Sequence, residues 1–354
     1  MSDIRLELAP QMLDYDKVGL NWHPNIMFFQ RENYISKSVK TDKYGFRFTV
    51  SNSSKFSPLS YFNSLSKDQI SLLVGGSTAF GVGATSDRYS LASLMTNLSG
   101  TNFLNFGARA FNSDQELSLF KNFIHQLPKI NEVIILSGVN DLYLSHTKNN
   151  SFMPEFFFGN TYNKAMNSYT LSNKKKIIKL ILKTFGLEEL VFEYEDLNQF
   201  SIHLLRNLFK YKKTKQTKYF QNPVSFTKGF KRTTTSLIFW SYLSEIFNFK
   251  ITFALQPLPS WSKKKLTIEE KKLFSYYDKK YPQDSEVLKS MENIDKYLKF
   301  TKDFEDFCKK LSINYIDTNM AFKNSNCLND WLFVDRVHLT DNGYKKLAMF
   351  LSNK

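Results

Sequence analysis

Three times in the first 140 residues a short apolar run ends in glycine and gives way to a segment of helical periodicity. The runs are Ser71-Leu72-Leu73-Val74 before Gly75-Gly76, Asn102-Phe103-Leu104-Asn105-Phe106 before Gly107, and Glu132-Val133-Ile134-Ile135-Leu136-Ser137 before Gly138. Runs without strict polar alternation predict strands covered on both faces, as in parallel sheets. Between them, Leu91, Leu94, Met95 and Leu98 fall at three-to-four spacing within 85–98, and Leu117, Phe120, Phe123 and Ile124 within 113–127. Each set predicts a helix packed on the sheet, the first capped by Ser86 or Asp87. Three βα units in succession imply a parallel sheet with right-handed crossovers.

The regularity lapses over 142–222. An aromatic, Asn-rich stretch (152–162), a basic stretch (174–185) and a lysine-rich run (210–218) read as an insertion. A helix over 225–249 then feeds a strand at 250–257, which Pro257 and Pro259 stop. A long polar loop and helix, broken at Pro282, run to Lys310. A short strand at 314–317 and a last helix over 341–351 close the chain. Residues 1–65 read as an irregular leader with a short hairpin, packed on the core; 66–354 read as one doubly wound α/β domain of about five strands, interrupted at 142–222.

Composition narrows this picture little. The chain has 354 residues, 42% of them hydrophobic, with 34 Phe, 18 Tyr and only 13 Gly, which excludes disordered and collagen-like classes. Two cysteines, Cys308 and Cys327, imply no disulfide framework and are compatible with a reducing compartment. The first residues lack a signal-peptide pattern, and no apolar run of about 18 residues predicts a spanning helix, so the expected location is cytoplasmic.

Charge adds one alternative. The net charge is +15, and the stretch 174–232 holds 14 basic against 5 acidic residues. Lysine in solvated positions of a Lys-, Asn- and Phe-rich chain explains this first; nucleic acid, an anionic membrane surface or an acidic glycan are the rivals. Lys174–Lys183 is a basic amphipathic helix candidate. It is expected to pack its Ile/Leu face on the domain, with contact at the inner membrane face as the alternative. A nucleic-acid partner is not expected, and oligomeric state is open.

The candidate chemistry gathers where the strands end. Ser77, Gly107 and Asn140 follow the three leading strands and so share one edge of a parallel sheet. Asp335 and His338, three apart, precede the last helix. In a turn this spacing lets the carboxylate orient the imidazole, which can then take the proton of the Ser77 hydroxyl. The N–H groups of Ser77 and Gly107 and the Asn140 amide could form an oxyanion hole. Each residue also has a plainer reading: Ser77 and Gly107 as turn residues, Asn140 as a loop bridge, His338 as a cap. Arg109 and Arg336 could fork onto a substrate carboxylate or phosphate, though a salt bridge is the default role. His23, His125, His146 and His203 have no metal-ligand spacing, so neither metal nor cofactor is expected. Gly81-Val82-Gly83 lacks the third glycine of a dinucleotide fingerprint, and no phosphate loop follows.

Gly75-Gly76-Ser77-Thr78, Asn105-Phe106-Gly107, Gly138-Val139-Asn140-Asp141 and Asp335-Arg336-Val337-His338 together resemble, in order, the four blocks of the SGNH (GDSL-like) hydrolases. The resemblance implies a flavodoxin-like three-layer α/β/α sandwich with a large, mainly helical insertion. It also implies serine esterase chemistry on a small acyl ester such as an O-acetyl group on a carbohydrate. Ser77 would be the nucleophile, His338 the base and Asp335 its orienting acid, with Ser77, Gly107 and Asn140 as oxyanion donors. An O-acyltransferase acting on a surface glycan, or an idle scaffold binding membrane or glycan, are the alternatives. Gly76 stands where the family usually has Asp, which weakens any transfer of substrate preference. Tyr44-Gly45-Phe46-Arg47 resembles a leader found in some Gly-Gly-Ser variants.

Overall fold

Five parallel strands, β5 (Ile70–Gly75), β6 (Asn102–Gly107), β7 (Ile130–Ser137), β8 (Lys250–Leu255) and β9 (Asn314–Asp317), form the central sheet of the computed structural model. The structure describes residues 4–64, 69–147, 156–159, 161–162, 223–262, 265–323 and 329–354. They divide between one unit of residues 1–157 with 222–354 and a second of 158–221. The stretch Lys174–Lys183 and Cys327 lie outside the described residues.

Strand order is β6-β5-β7-β8-β9, the doubly wound flavodoxin-like order with its switch point between β5 and β7. Every residue of β5 is buried, as its unbroken apolar run requires. Alternate side chains serve two layers. Leu73, Ile134, Ala254 and Ile316 share a core with α4 (Leu91–Ser99) and the last helix (Asp341–Ser352). On the other face Phe253 packs on Phe304, and Phe120 on Trp240. Phe120, Trp240 and Phe304 belong to α5 (Ser113–Phe123) and to the helices Phe226–Phe247 and Ile294–Lys310. The three-layer α/β/α sandwich expected from the sequence is the fold observed.

Local differences have local causes. α4 begins at Leu91, because Ser90 and not Ser86 or Asp87 accepts from the Ser93 N–H. The Asp87 carboxylate is already bonded to Arg47 Nε (3.1 Å) and the Lys40 N–H (3.2 Å). The polar region before Lys310 is three helices, Ile268–Lys280, Pro282–Ser290 and Ile294–Lys310, with Pro282 opening the second. The leader is more ordered than its pattern predicts. It holds α1 (Ile4–Leu8), α2 (Met12–Lys17), the hairpin β1 (Leu20–His23) with β2 (Met27–Gln30), and the paired segments β3 (Thr49–Val50) and β4 (Lys55–Phe56). Elements of two to six residues are too short to show a period.

Gly107 closes β6 beside Gly75 of β5. A Cβ at Gly107 would lie 2.1 Å from the Phe80 nitrogen and 2.5 Å from the Ala79 carbonyl carbon. Main-chain atoms cannot swing aside, so Gly107→Ala is expected to cost about 3 kcal/mol, at the upper end of overpacking. Thermal unfolding of the variant against wild type checks this.

Candidate active site

The turn after β5 starts α3 (Ser77–Phe80), placing Ser77 at the carboxyl edge of the sheet, at the switch point. The His338 ring comes to it from 261 residues further along the chain, with Nε2 2.8 Å from Ser77 Oγ. His338 Nδ1 lies 2.7 Å from Asp335 Oδ2. Asp335 Oδ1 accepts the N–H groups of Val337 (2.9 Å) and His338 (2.8 Å), so the carboxylate folds the 335–338 turn that presents the imidazole. The Val334 N–H donates to the His338 carbonyl at 2.9 Å, closing the turn. With Nδ1–H given to the carboxylate, Nε2 is the acceptor for the Ser77 hydroxyl proton.

Burial alone would push the Asp335 carboxyl up. The His338 charge, its hydrogen bond and the two N–H groups outweigh that and hold it below the ordinary 3.8. The folded chain therefore binds fewer protons here than the unfolded chain, and stability rises with pH through this window. The stability advantage of wild type over Asp335→Asn is expected to be present at about pH 6 and to shrink by about pH 3. Melting temperatures at the two pH values measure it.

Asn140 opens the helix Val139–Leu144 after β7 and reaches the same edge. Its Nδ2 donates to the Phe111 carbonyl at 2.6 Å, which fixes the amide plane. A Cβ on residue 76 would sit 2.7 Å from that nitrogen. Glycine at position 76 is thus what lets the Asn140 amide come up beside the nucleophile. Behind it, buried Asp141 accepts the Ser113 N–H (3.2 Å) and hydroxyl (3.1 Å), tying the β7 turn to α5. Burial raises this carboxyl to about 6, against the pull of Arg232.

Gly107 departs from its expected part. Its N–H donates to Asn105 Oδ1 at 2.9 Å, and its α-carbon is wedged against α3. It shapes the floor under Ser77, with its donor already engaged. Three residues on, Ala110 holds a left-handed φ of +61°, an unusual conformation that carries no sequence signal because alanine is not a turn residue.

The two arginines separate. Arg336 gives Nε and Nη2 to Asp278 (2.9 and 2.8 Å) and Nη1 to Glu292 (2.7 Å). Its guanidinium is committed, and it pins the Asp335–His338 turn to the helix Ile268–Lys280. Arg109 has no such partner among the described residues. A third, Arg47 in the leader, is fully buried and was not singled out as a site residue. It donates to Asp87, Tyr15, the Ser38 carbonyl and the carbonyls of Phe80 and Gly81, which end α3. Its only sequence signal is the Tyr44-Gly45-Phe46-Arg47 stretch.

Among the described residues no cluster of His, Cys, Asp and Glu could hold a metal ion, and no helix is long and apolar enough to cross a membrane.

No protein-family model and no curated protein matches this chain. Solved structures do. A GDSL-like lipase from Bacteroides thetaiotaomicron is similar over 84% of this chain and 92% of its own, at 12% identity and a TM-score of 0.42. A member of the lipolytic protein G-D-S-L family from Veillonella parvula is similar over 79% and 94%, at 10% identity and 0.40. A mutant acetyl-xylooligosaccharide esterase from Geobacillus is similar over 81% and 95%, at 11% identity and 0.40.

Proposed function

We propose that this chain is a serine esterase that cleaves a small acyl ester through an acyl-enzyme. One observation carries the reading: Ser77, His338 and Asp335 form a continuous hydrogen-bonded chain, at 2.8 and 2.7 Å, at the carboxyl edge of the sheet. A buried carboxylate, an imidazole fixed in one tautomer and a hydroxyl within its reach are the parts needed for base-assisted nucleophilic attack.

In the proposed cycle His338 Nε2 takes the Ser77 proton as Oγ attacks the acyl carbonyl. Asp335 stabilises the resulting imidazolium. The oxyanion falls to the Ser77 N–H, which has no intrahelical acceptor at the start of α3, and to the Asn140 amide, whose second N–H is left over from its bond to Phe111. Collapse of the tetrahedral intermediate moves the imidazolium proton to the leaving alcohol. Water, activated by the same imidazole, then releases the acid. The substrate class, an O-acetyl group on a carbohydrate, rests only on the likeness of Tyr44-Gly45-Phe46-Arg47 to a leader of some Gly-Gly-Ser variants; the geometry supports the ester chemistry.

A fluorophosphonate probe tests the reading. It is expected to label Ser77, and only in a protein that retains His338. Absence of labelling in folded wild type, with no acetate released from p-nitrophenyl acetate, would leave an idle scaffold.

A further inference from the structure

A buried cation with nothing to neutralise it is costly, and folded proteins keep such a group paired or put it to use. Arg109 comes close to that case: it is half-buried, with one guanidinium nitrogen fully covered. It lies in the turn between β6 and α5, one residue before the left-handed Ala110. Two residues on, the Phe111 carbonyl accepts the Asn140 amide beside the nucleophile. Arg109 Nη1 is buried and meets no hydrogen-bond partner. No hydrogen bond or ion pair reaches the rest of its guanidinium among the described residues. The side chain as a whole is only partly covered, so the edge carrying its other nitrogens is open to a ligand.

The surrounding charge points to the sign of that ligand. Asp16 of α2 acts on Arg109 electrostatically, as do the Tyr15 and Tyr34 phenols. Asp16 is already taken: both its oxygens receive Arg5, through Nη1 and, at 3.0 Å, Nη2. Burial pushes the Arg109 pKa down, as expected of a guanidinium without a counter-ion. The acids whose fields act on Arg5, Asp16 and Asp335, are held by Arg5 and by His338 respectively, so neither is paired with Arg109 among the described residues. The chain's net charge of +15 adds a long-range field of the same sign.

We infer that Arg109 is a specificity-determining residue, whose guanidinium receives an anionic group, carboxylate or phosphate, carried by the ester substrate beside Ser77. The inference rests on the esterase reading for its location and deepens it by naming the substrate class as acidic. A planar fork of N–H donors matches either anion with two parallel bonds, which lysine cannot reproduce. Arg336, the other candidate for this role, is excluded by its bonds to Asp278 and Glu292.

The test compares three acetyl esters on each enzyme: an O-acetylated methyl glucuronoside, its uncharged methyl ester, and an O-acetylated glucose phosphate. Wild type is expected to prefer a charged ester over the methyl ester by about tenfold or more in kcat/KM. Whichever charged ester is preferred identifies the anion. In Arg109→Gln that ratio is expected to fall to about one, and in Arg109→Lys to recover in part. A purely structural role would lower all three rates together and leave the ratio unchanged. A wild-type ratio of one, or a ratio that survives Arg109→Gln in a folded protein, overturns the inference. If no ester is cleaved at all, the esterase reading fails by itself. Thermal stabilisation of Ser77→Ala by free methyl glucuronoside or inorganic phosphate then decides: lost on adding Arg109→Gln, it keeps the anion subsite, and absent from the start, it removes it.

Discussion

Replacing Ser77 by alanine is expected to lower kcat for p-nitrophenyl acetate by roughly four to six orders of magnitude, while the protein stays folded. The Oγ atom makes the bond to the acyl carbon, so no neighbouring group substitutes for it. What remains is the oxyanion donors and binding, which by themselves give a residual rate above water. Because the three residues act as a unit, His338→Ala is expected to be nearly as damaging as Ser77→Ala. The double variant should be little worse than either. Multiplicative losses would show that Ser77 and His338 work independently, against the proposed mechanism. The hydroxyl contributes little to packing, and the melting temperature should move by a few degrees at most, so lost activity can be read as lost chemistry.

The largest effect on stability is expected at a residue that takes no part in the reaction. Arg47 is fully buried, and its five hydrogen bonds end on Asp87, Tyr15 and three main-chain carbonyls. Burial works against its charge, yet Tyr15 and Asp87 hold the proton on. Arg47→Ala removes the donor to the Phe80 and Gly81 carbonyls and leaves Asp87 facing a cavity. Breaking one side of a buried pair costs about 3–5 kcal/mol. In a chain of this size that corresponds to a fall in melting temperature of roughly 4–7 °C. Arg47→Lys is expected to rescue little, since one ammonium cannot span acceptors that the guanidinium reaches with three nitrogens. A variant within about 1 kcal/mol of wild type would show that the leader is bound by its apolar contacts alone. In whatever fraction remains folded, kcat should also fall, because the two carbonyls end the helix that begins with Ser77.

These two residues mark what the sequence made legible. Buried strands could be read because a strand covered on both faces has no polar alternation: β9 has the bounds expected, and β5 and β6 extend their apolar runs by a residue at most at either end. Ser77, Asn140, Asp335 and His338 stood out because each sits where a strand ends or the last helix begins. Arg47 carries no such local mark. Its importance lies in acceptors from residues 15, 38, 80, 81 and 87, and no periodicity encodes that convergence. The Gly107 N–H was expected to face a substrate; only three-dimensional placement shows that the Asn105 side chain, two residues back, takes it. Arg109 and Arg336 looked alike as sequence neighbours of the site. They are distinguished by Asp278 and Glu292, two acids from a polar region with no visible connection to either.

The separation of 261 residues between Ser77 and His338 has a consequence during synthesis. A chain grows from its N-terminus at about 5–20 residues per second, so Ser77 precedes His338 by roughly 10 to 50 seconds. The strand that carries Ser77 and both its immediate sheet neighbours are made within that early interval, before the 335–338 turn exists. On the proposed mechanism reactivity arrives late, with the turn ahead of the last helix, after all five strands of the central sheet have been made.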